Sequence, residues 1–142
     1  MAIQPIGFSL GDWIPPVRPP AEPMIGRYCR LERLDADRDA RPLFDAYALD
    51  SEDRNWTYLA QGPFENYAEF HTWLSDMAKL DDPFFFTIID AESQTSVGIA
   101  SYLRITPPAG SICVEKLLAF PSKLTNTQSF HDSHRISIKS DF

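Results

Sequence analysis

The chain is short of the features that announce several common chemistries. Among 142 residues there are two cysteines, Cys29 and Cys113, too few for a disulfide framework. Both fall in stretches that read as strands, where thiols are usually buried and inert. Basic residues are scarce too. Thirteen Lys and Arg against 20 Asp and Glu leave a net charge of -7, which argues against a nucleic-acid binder and an anionic membrane surface. No apolar run approaches the ~20 residues that a membrane helix needs. The opening MAIQPIGFSLGDW lacks the basic start and apolar core of a signal peptide, so a cytoplasmic location is expected. Glycine is sparse, six in all and none beyond Gly110. No Walker loop, G-x-G-x-x-G, C-x-x-C or H-E-x-x-H occurs.

What is present suffices for one folded domain. Hydrophobic residues make up 44% of the chain and aromatics 13%, enough for a real core. The organising stretch is 84–105: FFFTIID, the polar turn AESQTS, then VGIASYLRI. Two β-branched and aromatic runs around turn chemistry predict an antiparallel pair of strands. The first run is apolar on both parities, as in a central strand covered on both sides. In the second, Val97, Ile99, Leu103 and Ile105 share one parity, and Gly98, Ala100, Tyr102 and Arg104 the other. Period two predicts that the first set faces the core and that the second, with its tyrosine and arginine, serves another use.

Residues 1–26 hold six of the twelve prolines and predict an extended arm, with Phe8, Leu10, Trp13 and Ile14 laid against the domain. A first strand is expected over 27–34. A helix follows from an N-cap at Asp37 or Asp39, with Ala40, Leu43, Phe44, Tyr47 and Ala48 as its apolar stripe. The stretch 50–64 has no stripe and carries Asn55, Trp56 and Tyr58; loops of this kind often bind, although Trp56 reads first as a core plug. A second helix is expected over 66–80, with Asn66 as N-cap, Glu69 three residues on, and Tyr67, Phe70, Leu74 and Met77 buried. His71 lies beside that stripe and reads as a surface histidine. A third strand of the antiparallel run, 111–120, follows the Pro107-Pro108 turn. From Pro121 no stripe is visible and the chain reads as a loose tail. His131, Asp132 and His134 lack further ligands, so no metal site is expected.

The strings RYCRLERLD, RNWTYL with GPF, DDPFFFTIID and VGIASYLRI, in this order over about 11–112, resemble the GNAT superfamily of acyl-CoA N-acyltransferases. The likeness is to the branch of the ribosomal-protein N-terminal acetyltransferases. It implies an α+β fold, a mainly antiparallel sheet with two N-terminal helices, and acetyl-CoA as co-substrate. It also implies an amine acceptor, from a small molecule or a peptide, bound near Asn55, Trp56, Tyr58 and Tyr102. By the same resemblance Leu118, Phe120, Lys123, Thr125, Asn126 and Thr127 take the acyl-CoA side. Relatives place an acidic residue early in the family's fourth strand, where this chain has Cys113. Glu115, two residues on and on the same face, is the expected proton acceptor. The family's last helix and strands have no counterpart here. The expectation is therefore an arm (1–26), a partial acyltransferase domain (27–120) and a divergent tail (121–142), with weak acetyl-CoA binding and self-association through the exposed third-strand edge. The alternatives are a non-catalytic binding domain and a truncated gene product.

Overall fold

Asp35 opens the first helix, and it does so two residues before the earliest expected cap. In the computed structural model, which describes residues 7–9, 11–49 and 62–119, α1 runs Ala36–Tyr47. The Asp35 carboxylate accepts from the amides of Asp37 (3.0 Å) and Arg38 (3.4 Å). The cap moves upstream because Asp39 is drawn inward: it shares the apolar stripe with Ala36, Ala40 and Leu43, all buried. Helix α2, Tyr67–Ala78, starts where expected, with Asn66 accepting from the Glu69 amide at 3.0 Å. Phe70 and Leu74 are fully buried, with Tyr67 and Met77 at the margin.

The strands are β1 (Met24–Ile25), β2 (Cys29–Arg33), β3 (Phe84–Asp90), β4 (Ser96–Thr106) and β5 (Ser111–Ala119). They form one antiparallel sheet in sequence order, an α+β arrangement. The end of the proline-rich arm is thus not only a strap: its last residues add the edge strand β1. Upstream, the Trp13 indole donates to the Pro108 carbonyl (3.2 Å) and Arg18 to that of Asp81 (2.7 Å). A Cβ on Gly110 would stand 2.7 Å from the Trp13 ring, and its φ is +60°, so only glycine suits that turn.

Two cores sandwich the sheet. On one face α1 and α2 close over Leu34, Phe85 and Ile99. On the other lie Cys29, Leu31, Phe86, Ile88, Val97, Ala100, Tyr102 and Ile105. As expected, β3 is buried on both sides. The simple alternation assigned to β4 is wrong, for a definable reason. The β3–β4 register skips Val97, passing from Ile88–Gly98 to Ile89–Ser96. A second irregularity, with Arg104 at φ +52°, separates Leu103 from Thr106. Each extra residue turns the strand over once, so Val97 and Ile105 join Tyr102 on the face away from Ile99.

Candidate functional site

The helix-covered face of β4 and β5 gathers the chemistry that the structure offers beside the sheet edge. Cross-strand pairing runs Phe85–Ser101–Glu115 in one row, with Leu103–Cys113 two residues further along. Because Phe85 and Ile99 belong to the helix-side core, Ser101 and its partner Glu115 point to that side. Glu115 is exposed, as is Cys113. The expectation of two buried thiols therefore holds for Cys29 alone. Cys113 is exposed because β5 is the edge strand of the described sheet. Its place on the same face as Glu115 is as expected.

Ser101 was not singled out by its sequence. Its residue is 2% exposed, and among the described residues its Oγ has no hydrogen-bond partner. Such an atom in a core calls for an explanation. Beyond it the β4–β5 register passes from Ala100–Lys116 to Ile99–Leu118, so Leu117 is an extra residue on β5. A bulge frees local backbone groups from the ladder and re-aims the strand.

Tyr102 does not join this group. It pairs with Val114 on the opposite face, is 3% exposed, packs edge-on against Phe86 at 5.5 Å and donates to Met24 Sδ at 3.6 Å. It keeps the face of Gly98 and Ala100, as its parity predicts, but the second core covers that face and buries it, so its expected place at an acceptor pocket is corrected. Leu118 pairs with Ile99 through the backbone. Asn55, Trp56, Tyr58, Phe120, Lys123, Thr125, Asn126 and Thr127 lie outside the described residues, as do His131 and His134.

Behind the row, Asp39 locks α1 to the sheet. Its carboxylate accepts from Thr87 Oγ1 (2.5 Å), Ser96 Oγ (2.8 Å), the Asp35 amide (3.0 Å) and the Arg38 guanidinium, with both nitrogens at 2.8 Å. Burial alone would push this carboxyl up. The bonds from Arg38, Thr87, the Asp35 amide and Ser96 outweigh it and hold the group below its ordinary value. The signal in the sequence was an acidic residue within an apolar stripe.

A crevice of about 570 Å³ opens between the start of α1 and the end of α2, lined by Glu32, Arg33, Asp35, Asp37, Arg38 and Ser75 among others. Asp37 and Ser75 on its wall, with His71 between them, superficially suggest an acid–base–nucleophile chain. His71 Nε2 is 3.2 Å from Asp37 Oδ1, but Ser75 Oγ is 3.5 Å from Nδ1 and donates instead to the His71 carbonyl at 2.8 Å. With its proton committed to the helix backbone, Ser75 is no activated nucleophile. The Arg33 guanidinium is likewise spent on the carbonyls of Phe85, Ala78 and Leu80, tying the end of α2 to β3.

No protein-family model matches the sequence, and no curated protein does either. Solved structures do. A GCN5-related N-acetyltransferase from Brucella melitensis is 30% identical with a TM-score of 0.83, over 91% of this chain and 58% of that one. A Chromobacterium violaceum protein assigned to the GNAT-family acetyltransferases is 25% identical with a TM-score of 0.82, over 97% of this chain and 68% of that one. A Vibrio cholerae structure assigned as a ribosomal-protein-serine acetyltransferase shares the fold alone, at 12% identity and a TM-score of 0.64, over 85% of this chain and 67% of that one. The chain thus spans less than two thirds of the Brucella protein's length. With the two-helix, antiparallel α+β architecture and these sequence likenesses together, the chain belongs to the GNAT superfamily.

Proposed function

We propose that the chain works in acetyl-CoA-dependent acyl transfer to a primary amine, of a small molecule or a peptide. The observation that carries this reading is Glu115. It is an exposed carboxylate on the edge strand, on the helix-covered face and two residues before the bulged Leu117, in a chain of this superfamily. Acetyl-CoA, as substrate, supplies a thioester. The amine nitrogen bonds to the carbonyl carbon, the carbon–sulfur bond breaks, and the thiolate takes a proton from solvent. Glu115 accepts the proton that the amine loses, directly or through one water. Freed backbone at the Leu117 bulge fits amide-to-amide pairing and polarisation of a carbonyl, chemistry that needs donors outside the strand ladder. Asn55, Trp56 and Tyr58 complete the acceptor side in this reading. By the same family resemblance we assign Lys123, Thr125, Asn126 and Thr127 to the pyrophosphate and Leu118 and Phe120 to the acyl-CoA arm.

A net charge of -7 opposes an anionic substrate. The test therefore supplies acetyl-CoA at millimolar concentration and follows CoA thiol release with a polyamine, an aminoglycoside-like amine or a short peptide. Release that depends on the amine is expected, falling by roughly 100-fold or more in Glu115→Gln. Wild-type protein that releases no thiol above background with any of the amines overturns the reading.

A further inference from the structure

We infer that Ser101 is a positioning residue for Glu115: its buried hydroxyl is the donor that fixes the carboxylate when an acceptor amine enters. The inference rests on the acetyl-transfer reading and deepens it. The observation behind it is independent, however. Ser101 Oγ is enclosed and, among the described residues, makes no hydrogen bond. A buried hydroxyl without a partner destabilises a core, and a smaller apolar residue would fill the same place at less cost. On packing grounds alone alanine is the better residue at this position.

Geometry supplies the missing acceptor. Ser101 and Glu115 are directly opposed on β4 and β5, and opposed residues on one face have Cβ atoms about 4.5–5.5 Å apart. A serine hydroxyl and a glutamate carboxylate at that separation meet when the longer side chain folds inward. No other described side chain in this row competes for the hydroxyl, since the residue paired with Ser101 on its other flank is Phe85. With Glu115 turned outward the site is open. With Glu115 turned inward, Ser101 Oγ–H donates to one carboxylate oxygen and leaves the second oxygen aimed at the amine. No covalent bond changes at Ser101. It selects one rotamer of the residue that accepts the proton, and so acts on the rate more than on the affinity for acetyl-CoA.

The test compares wild type, Ser101→Ala, Ser101→Thr, Glu115→Gln and the Ser101→Ala/Glu115→Gln double variant. Thiol release and urea unfolding are both followed. Ser101→Ala is expected to lower kcat by roughly 10- to 100-fold, the cost of misplacing one reacting group by about an ångström. KM for acetyl-CoA stays within about twofold, as expected when an interaction made only along the reaction is lost. The same variant unfolds at an equal or higher urea concentration, which a merely structural serine would not allow. Ser101→Thr retains the hydroxyl and recovers most of the rate. In the Glu115→Gln background Ser101→Ala has no further effect, the mark of two residues acting as one unit. Active wild type with unchanged kcat in Ser101→Ala, or loss of stability in step with loss of rate, overturns the role of Ser101 and leaves the acetyl-transfer reading standing. Inactive wild type overturns that reading and this inference with it.

Discussion

At the scale of single residues, Asp39 shows how a charge can be held inside a small α/β layer. It is fully buried yet meets five donated hydrogen bonds, one from each of Thr87, Ser96 and the Asp35 amide and two from Arg38. Arg38 is fixed in turn by Glu32 at 2.6 Å. Replacing Asp39 by Asn keeps the shape but sets an NH2, which only donates, among groups that are themselves donors. We expect a loss of about 3 kcal/mol in urea unfolding at neutral pH, the range found when a buried charge loses its partner. The sign of the pH dependence follows from the lowered carboxyl. A group whose folded value lies below its unfolded value stabilises the fold above the unfolded value, about 4 for an aspartate. That contribution is lost as pH falls through the folded value. The gap between wild type and Asp39→Asn should therefore be full at pH 7 and close progressively below pH ~4. A gap that is constant down to the acid limit of folding would show that the carboxylate's charge is not what holds α1 to the sheet.

At the scale of elements, β4 decides which side chains reach which core, and its second irregularity is held from outside the strand. The Asp82 carboxylate accepts from the amides of Arg104 (2.9 Å) and Ile105 (3.0 Å), where the strand passes through positive φ. Asp82→Ala leaves both amides without that acceptor. It should cost about 1–3 kcal/mol and speed hydrogen exchange at those two amides more than elsewhere in β4. Uniform exchange across β4 would mean that the kink is set by pairing with β5 alone. The helices need no such support: Asn66 caps α2 as a residue-by-residue reading expects, and Asp35 caps α1.

At the scale of the whole molecule, the described sheet ends at β5, which pairs with β4 on one side only. A nine-residue strand carries main-chain donors and acceptors along its outer edge, a template for pairing with a second chain. Ile112 and Val114 are half-buried against the second core, so association through this edge would also bury apolar surface. Light scattering at tens of micromolar should show mass rising with concentration, and Val114→Lys should reduce it. A monodisperse monomer across that range, without detergent, would exclude the β5 edge as an interface. No helix among the described residues is long and apolar enough to cross a membrane.

The sequence by itself determined the order and kind of the main elements. The 3.6-residue stripe of α2, the doubly apolar run of β3 and the turn chemistry around 91–95 are local signals, and local physics settled them. The family resemblance at Cys113 brought Glu115 forward, and the two share a face because no bulge falls between them. Tertiary structure alone decided what depended on register. One extra residue at Val97 and another beside Arg104 move Val97 and Ile105 to the face of Tyr102, where a second core buries all three. Neither bulge leaves a mark in composition or period, because a bulge is an agreement between two strands about pairing. The same holds for Asp39: its burial is tolerable only because Thr87, Ser96 and Arg38 converge on it from three elements. No window of sequence contains all of them.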